Sequence, residues 1–242
     1  MKRIGLLVVV LAVVLSGPAA WADFYVIGGG GGVGTRITSV PYTISTPGFY
    51  YLSGNLTYSG TGYAITVSVD DVTLDLMGFS LTNSGETGST VGIYMNGRTN
   101  VEIRNGTVRG FKYGLDCPYG HNLRAINVRA AGNGYGIYFE GDNHLIKSCN
   151  VIYNNTYGIF MRSGIITGCV SSNNGYGIRL LGPGSMLGNT AFNNASYNFM
   201  LGEIVSTAIL VDRNSALGLN PNYWVTSAAS EGVIWGTNAG IP

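Results

Sequence analysis

A short repeated motif constrains the fold of this chain more than any other feature of the sequence. The tripeptide Tyr-Gly-Ile, or a close variant of it, begins at Val91, Tyr113, Tyr135, Tyr157, Tyr176 and Tyr197. The spacing of successive copies lies close to the period of about 20 to 25 residues that is typical of solenoids. In a solenoid each unit buries its apolar face only by stacking on its neighbours.

Within each unit the hydrophobic pattern is that of a β-strand. Ile137 and Phe139 alternate with other residues at a period of two, and the equivalent positions of the other units do the same. Charged residues make up only 10% of the chain, whereas glycine and tyrosine contribute 38 and 16 residues. This composition is too apolar for a disordered chain, and glycine lacks the three-residue period of collagen. The sequence therefore predicts an all-β fold.

Polar breaks before the tyrosines predict how the units are joined. Asparagine tolerates left-handed backbone at a corner, and identical corners would stack their amides so that each bonds the next. A leucine-rich repeat has a similar period but needs several leucines at fixed spacing, which are absent. The sequence predicts a single-stranded parallel β-helix of about eight coils with a repeat of about 22 residues. Its corners are Gly132-Asn133, Asn154-Asn155, Asn173-Asn174 and Asn193-Asn194.

The two ends of the chain differ in composition from the repeats. Lys2 and Arg3, an apolar run and a small-x-small site predict a signal peptide over residues 1–22. A glycine-rich linker follows over residues 23–39, then the β-helix over 40–210 and a C-terminal cap over 211–242. The protein is thus expected to be exported, to the periplasm or the extracellular space, with no membrane span after cleavage. Removing Lys2 and Arg3 leaves 11 basic and 12 acidic residues, which gives no reason to expect a nucleic-acid partner.

The sequence resembles right-handed parallel β-helix proteins of the pectin lyase-like superfamily. Three features carry the resemblance: the Tyr-Gly-Ile coils, the segment from Val72 to Phe79, and the Pro47-Gly48 turn that precedes the first strands. The sequence is most similar to its NosD-type members and its carbohydrate-binding and sugar-hydrolase (PbH1) repeats. The resemblance implies right-handed coils. It also implies functions that range from polysaccharide lyases and glycoside hydrolases to adhesins, without choosing among them.

The alternation predicts two columns of outward side chains along one sheet. The first column consists of the residue that follows the isoleucine of each Tyr-Gly-Ile motif, such as Tyr138. The second column consists of the residue two positions further on, such as Glu140. Rings beside charges on such columns suit a strip that binds an extended polysaccharide or cell-envelope glycan, although cross-strand packing alone also uses such residues. The candidate binding residues are Tyr94, Tyr138, Phe160, Arg162 and Arg179.

Two pairs of acidic residues are candidates for catalysis. Asp116 and Glu140 would lie on adjacent coils, roughly 7–8 Å apart at their β-carbons, which is within the separation that inverting glycosidases use. Asp70 and Asp71 form a second candidate pair, although an Asp-Asp corner also serves to bond backbone amides. The sequence contains no Gly-His-Gly or Arg-Ile-Lys, which galacturonan hydrolases carry.

No metal site or cofactor is expected from the sequence. Calcium is compatible with such a fold but no motif supports it, and the two histidines, His121 and His144, are interpreted as solvated corner residues. The three cysteines are interpreted as small core residues, with a bond between Cys149 and Cys169 as the alternative.

Three functional hypotheses follow. The first is an exported protein that binds an extended glycan along the outward face. The second is a polysaccharide lyase or glycoside hydrolase. The third is a structural or adhesive surface protein. The identity of the glycan and the oligomeric state stay open.

Overall fold

Short β-strands build the regular structure of the part of this chain that is described. A computed structural model describes residues 34–85, 88–202, 208–218, 222–225 and 232–240. The predicted signal peptide and residues 23–33 of the predicted linker lie outside these ranges. The described strands are β1 Thr35–Ile37, β2 Tyr42–Ile44, β3 Gly48–Leu52, β4 Leu56–Tyr58, β5 Tyr63–Val67, β6 Val72–Asp75, β7 Ser80–Asn83, β8 Val91–Tyr94, β9 Val101–Arg109, β10 Tyr113–His121, β11 Arg124–Ala131, β12 Tyr135–Asp142, β13 His144–Lys147, β14 Asn150–Ile152, β15 Tyr157–Met161, β16 Gly164–Thr167, β17 Val170–Ser172, β18 Tyr176–Leu180, β19 Gly184–Leu187, β20 Thr190–Phe192, β21 Phe199–Leu201, β22 Ile209–Asp212, β23 Ser215–Leu217, β24 Tyr223–Val225 and β25 Val233–Trp235.

The strands stack as a parallel β-solenoid with three faces. One face is a nine-stranded sheet, here called the tyrosine sheet, with the order β2-β5-β8-β10-β12-β15-β18-β21-β24. The other strands form a 16-stranded sheet of two rows, one running from β1 to β25 and the other from β4 to β23. The long strands β9 and β11 belong to both rows, and so they turn the corner between the two faces. The coil number and the repeat length agree with the prediction from the sequence.

The solenoid extends past both predicted limits of residues 40 and 210. Strand β1, Thr35–Ile37, falls within the predicted linker, yet it pairs in register with Tyr50–Leu52 of the next coil. At the other end β22 pairs with β25, within the predicted cap. The boundaries differ because a strand at the end of a stack lacks the repeated motif yet still completes the hydrogen bonds of its neighbour.

The core is a set of in-register columns inside the coils. The apolar residue of each Tyr-Gly-Ile unit lies directly over that of the next coil, and each is fully buried. Burial of each such side chain stabilises the fold by about 1.5–3 kcal/mol. This column contains Ile65, Ile93, Leu115, Ile137, Ile159, Ile178 and Phe199.

The glycine of the repeated motif is required by the close approach of the next coil. A β-carbon on Gly136 would lie 2.5 Å from the carbonyl oxygen of Gly158, and one on Gly114 would lie 2.5 Å from that of Gly136. Both distances are far inside van der Waals contact. The motif therefore contains glycine because no larger residue fits between the stacked coils at this position.

The predicted asparagine corners form a buried ladder beside these glycines. The side-chain oxygen of Asn154 accepts hydrogen bonds from the backbone N–H and the side-chain amide of Asn133, at 3.0 and 3.2 Å. Asn154 donates in turn to Asn174 at 2.9 Å, and Asn174 donates to Asn194 at 3.0 Å. Each coil is thus tied to the next through side chains that are out of contact with water.

Candidate functional site

The outward face of the tyrosine sheet carries the first predicted column. In-register pairs place Tyr94 beside Asp116, Asp116 beside Tyr138, and Tyr138 beside Phe160. The column then continues through further in-register pairs to Arg179, Met200 and Trp224. The repeat therefore predicted correctly which side chains are neighbours on this face.

The tyrosines of the repeat itself form a further column on the same face, here called the tyrosine column, which is not one of the two columns that the alternation predicted. The Tyr113 and Tyr135 rings stack with centroids 4.5 Å apart, and those of Tyr157 and Tyr176 stack at 4.9 Å. The edges of these rings meet the first column, as Tyr135 meets Tyr138 at 5.5 Å. Sequence reasoning used these tyrosines only as markers of the repeat. Their position next to the alternating column, once per coil, was the signal that could have placed them in the site.

The rings are less exposed than the alternation predicted. Tyr138 and Phe160 stack face to face with centroids 4.5 Å apart, and Tyr63 and Tyr94 do so at 4.0 Å. Because each ring face is covered by the ring of a neighbouring coil, Phe160 is only 6% exposed, and Met200 is also buried. The interpretation of Phe160 as an exposed ring was therefore wrong. The face presents phenol hydroxyls and ring edges to a ligand.

Asp116 is the most perturbed carboxyl of this face. It is only 8% exposed, on a column flanked by Tyr94 and Tyr138. Burial raises the pKa of Asp116 from its ordinary value to about 7, and the negative charge of Glu140 contributes to the rise, whereas Lys112 opposes it. A carboxyl with this pKa still holds a proton near neutral pH, and so it can donate a hydrogen bond or a proton to a ligand.

Glu140 lies on the coil next to Asp116, as predicted. It is two residues beyond Tyr138, which is the register partner of Asp116. The Tyr138 hydroxyl donates a hydrogen bond of 2.5 Å to Glu140 Oε1. Burial raises the pKa of the Tyr138 phenol, and this hydrogen bond adds to the effect, so the phenol stays protonated. Asp116, Tyr138 and Glu140 thus form one polar group on the face.

The two predicted arginines lie in different surroundings. The Arg179 guanidinium lies 5.6 Å from the centroid of the Tyr157 ring and 5.5 Å from that of Phe160. It also donates a 2.7 Å hydrogen bond to the Tyr157 hydroxyl. Arg162, by contrast, is exposed just beyond the end of its strand. Arg179 is thus held by the aromatic columns, whereas Arg162 lies at the edge of the face.

Asp70 and Asp71 lie at the corner between β5 and β6 of one coil and contact the next coil, away from the Asp116 group. Asp70 Oδ1 accepts a 3.0 Å hydrogen bond from the Thr99 backbone and lies 3.5 Å from Arg98 Nη1. Asp71 has left-handed backbone, with φ of 58°, and accepts a hydrogen bond from Asn100. The structure does not bring this pair together with the other candidate carboxyls.

His144 is a buried residue, which contradicts its interpretation as a solvated corner. Its Nδ1 accepts a 3.2 Å hydrogen bond from the Leu123 backbone, and its Nε2 donates to the carbonyl of Glu140 at 3.1 Å. Burial lowers the pKa of His144 to about 4, so the ring is neutral at neutral pH. His121 is exposed, as expected, and pairs with Asp142.

The three cysteines are free thiols buried in the core. Cys149 and Cys169 lie on adjacent coils, where the Val170 N–H bonds the Cys149 carbonyl at 2.9 Å. The hydrogen bond between the two thiols, together with burial, raises the pKa of Cys149.

Among the residues that the structure describes, no cluster of three or more His, Cys, Asp or Glu side chains could hold a metal ion. In the same ranges no helix is long and apolar enough to cross a membrane.

The sequence matches the protein family whose description is right handed beta helix region, over residues 52–200 and 91–232. No curated protein matches it significantly.

Solved structures are similar to this chain in fold. The A-module of mannuronan C-5 epimerase AlgE4 from Azotobacter vinelandii has 12% identity and a TM-score of 0.51, over 85% of this chain and 86% of that one. The A-module of epimerase AlgE6 from the same organism has 12% identity and a TM-score of 0.49, over 86% of each chain. ORF18 of Geobacillus virus E2 has 16% identity and a TM-score of 0.44, over 85% of this chain and 50% of that one.

Proposed function

Since this chain belongs to the right-handed β-helix family, we propose that it binds an extended glycan along the outer face of its tyrosine sheet. One observation carries the proposal. The outer face of the sheet brings together the half-buried Tyr138, the carboxyl of Asp116, whose pKa is about 7, and the carboxyl of Glu140, beside a column of tyrosines that repeats from coil to coil. Hydroxyls and carboxyls in such a row match the alternating donors and acceptors of a sugar chain.

The shape of the face favours a polymer over a small molecule. Successive coils place one tyrosine of the repeat after another at about 4.8 Å, so a ligand with its own repeat meets a tyrosine at each coil from Tyr113 to Tyr197. Stacking of the rings on one another holds the hydroxyls in fixed positions, which reduces the conformational entropy that binding must remove. The AlgE4 A-module, which has the same fold, is named for an enzyme that acts on the polysaccharide mannuronan. This supports a polysaccharide as the class of ligand.

The proposal includes export. The basic residues and apolar run at the N-terminus are the features that support a cleaved signal peptide and a periplasmic or extracellular location. In that location the available polymers are those of the cell envelope or of the surroundings.

The direct test is a glycan-array screen of residues 23–242, with and without calcium. Binding that falls at least about tenfold in the Tyr94→Ala/Tyr138→Ala double variant supports the proposal. Because both rings are stacked, the variant Tyr138→Phe provides a second test, since it removes the hydroxyl and keeps the ring. Tyr153→Phe, at a corner outside the tyrosine sheet, is the matched control and should bind normally.

A second candidate function is cleavage of the bound glycan. The observation that favours it is the pKa of Asp116 of about 7, which suits a general acid, with the carboxyl of Glu140 on the next coil. Product analysis on any bound glycan tests it. If the protein is an enzyme, Asp116→Asn and Glu140→Gln lose turnover by a much larger factor than they lose affinity for the glycan.

The glycan array also tests the third hypothesis, a structural or adhesive surface protein, against glycan binding. If no glycan binds, the proposal fails, and the stacked tyrosines then serve to stabilise a structural or adhesive surface protein.

A further inference from the structure

A groove lies along the corner where the two rows of the 16-stranded sheet meet. Strands β9 and β11 turn this corner at Asn105 and Asn127, and the next coil turns it at Ser148, between β13 and β14. All three residues have left-handed backbone, with φ of 57°, 54° and 54°. The groove, here called the corner groove, has a volume of about 390 Å³. It belongs to the 16-stranded sheet and is therefore separate from the tyrosine sheet.

One wall of the corner groove is an in-register column of polar side chains. Arg129 pairs with Thr107 of the preceding coil and with Asn150 of the following coil, and all three line the groove. Stacked coils repeat at about 4.8 Å, so the three side chains lie side by side. None of them makes a side-chain hydrogen bond or ion pair with a residue that the structure describes. The wall thus presents three polar groups whose hydrogen-bonding capacity is unused.

Asn150 is the least satisfied of the three. Its Oδ1 is buried and has no hydrogen-bond partner within the described ranges. A buried acceptor without a partner destabilises a folded protein. Because no described side chain holds the Asn150 carboxamide, it is free to rotate and to present its Nδ2 donor to a ligand in the corner groove.

Three cations lie in or beside the corner groove. Arg129 lines it directly. Arg109 lies two residues beyond Thr107 on the outward face of β9, where it is exposed and donates to the Thr82 hydroxyl. Lys147, which is also exposed, directly precedes the corner residue Ser148 on the other wall. Cations therefore flank the groove on both sides of the corner.

No carboxylate balances these cations at the corner groove. Its described lining contains neither Asp nor Glu. Asp75 and Glu102, on the neighbouring strands of the same sheet, are paired with Arg104 at 2.8 and 3.1 Å. The groove is thus a positively charged concavity, which attracts and retains an anion.

We propose that the corner groove binds a phosphate group, with two of its oxygens on the Arg129 guanidinium. A guanidinium binds phosphate through two parallel N–H···O bonds. The Thr107 hydroxyl and the Asn150 carboxamide donate to the remaining oxygens from the coils on either side. A carboxylate offers only two oxygens, which Arg129 alone would use, whereas a phosphate group also has acceptors for the two flanking donors.

The source of the phosphate group is either the free ion or a phosphate ester. The volume of the corner groove lies within the range of small-molecule sites, so it also has room for an organic group. Both sources share the chemistry that Arg129, Thr107 and Asn150 recognise. The site does not depend on glycan binding, because none of these residues lies on the tyrosine sheet.

The test is a ³¹P NMR titration with inorganic phosphate and, separately, with phenyl phosphate, at pH 8 and constant ionic strength in chloride. We expect saturable binding that Arg129→Gln weakens at least about tenfold. Thr107→Val, which keeps the shape of the side chain and removes its hydroxyl, should weaken binding about threefold to tenfold. Arg129→Lys keeps the charge without the planar fork and should restore only part of the affinity.

The matched control is Arg36→Gln, which removes the same charge from an exposed residue of β1, four coils from Arg129. It should bind phosphate like the wild type. Tighter binding of phenyl phosphate would identify an ester as the ligand, and equal or weaker binding would identify the free ion. The assignment is overturned if binding does not saturate, if acetate binds as tightly as phosphate, or if Arg129→Gln and Arg36→Gln have equal effects. Equal effects would mean that only the net charge of the protein attracts the anion.

Discussion

The Tyr138 hydroxyl donates a 2.5 Å hydrogen bond to Glu140 Oε1, two residues further along the same strand. This contact fixes the Glu140 carboxyl on the coil next to Asp116, whose pKa its charge raises. The Tyr138 phenol thus influences the pKa of Asp116, on the preceding coil, because it holds the Glu140 carboxyl in place. The behaviour of the face therefore depends on the group rather than on any one residue.

Asp116 should make stability depend on pH in a defined direction. The folded protein holds the proton of Asp116 up to about pH 7, whereas an unfolded chain loses it near pH 3.8. The stabilisation is therefore complete below about pH 4 and is lost as the pH rises to 7, by an amount on the order of 2–4 kcal/mol. Urea unfolding at pH 4, 5.5, 7 and 8 should show the wild type losing stability relative to Asp116→Asn as the pH rises.

His144 makes the comparison with the variant necessary. Its pKa is lowered by burial to about 4, so its contribution to stability is gained as the pH rises from about 4 towards 6.5. The two effects oppose each other in the wild type. Since His144 is present in both proteins, subtracting the two profiles isolates Asp116. Parallel profiles would contradict the raised pKa of Asp116.

The Glu140→Gln variant should lower the pKa of Asp116 from about 7 but not to its ordinary value. Burial is the largest cause of the shift and remains, while the repulsion by Glu140 is removed. A ¹³C NMR titration of the carboxyl groups measures this directly. The reverse case, an unchanged pKa in Glu140→Gln, would mean that the two carboxyls do not interact.

The buried asparagine ladder should be a major source of stability. Asn154→Ala removes partners from the Asn133 backbone, the Ala130 carbonyl and the Asn174 side chain, all of which are buried. Unsatisfied buried groups cost about 1–3 kcal/mol each, so we expect a loss of roughly 3 kcal/mol or more in the free energy of unfolding. The exposed neighbour Asn155→Ala is the control, with a change within about 0.5 kcal/mol. Equal effects of both substitutions would refute the ladder's role.

The motif glycine should tolerate no side chain. In Gly136→Ala the new methyl group would lie 2.5 Å from the Gly158 carbonyl oxygen, so adjacent coils must separate. We expect a loss of about 1–3 kcal/mol or more. Gly54→Ala, where no atom lies within 4 Å, should leave the midpoint of thermal unfolding nearly unchanged. A stable Gly136→Ala protein would show that the coils are not packed this closely.

The cysteines should be unreactive while the protein is folded. All three are buried free thiols, so a thiol reagent should detect none in the native protein and three after denaturation without reductant. Detection of one thiol after denaturation would instead mean that two of the cysteines, most simply Cys149 and Cys169, had formed a disulfide.

The sequence by itself determined the parallel β-helix and the members of its columns. Because parallel strands stack in register, residues one period apart become neighbours, and Tyr94, Asp116 and Tyr138 could be placed side by side from the repeat alone. The resemblance added the right-handed sense, and the family match confirms it.

Only the tertiary structure decided which outward side chains meet water. Alternation says that Phe160 points out, but the rings of the neighbouring coils cover it. A β-bulge at Pro118–Tyr119, where two residues lie opposite Glu140 alone, shortens the offset between two coils by one position, and that shift pairs His121 with Asp142. His144, two positions further along, is buried against Phe139.

The physical reason is that a bulge breaks the period, and burial depends on groups that the period does not encode. A repeat specifies which residues are neighbours along a column, but not how far their side chains cover one another. The raised pKa of Asp116, and the pocket that Tyr119, Asp142 and Arg162 line, therefore become visible only in three dimensions.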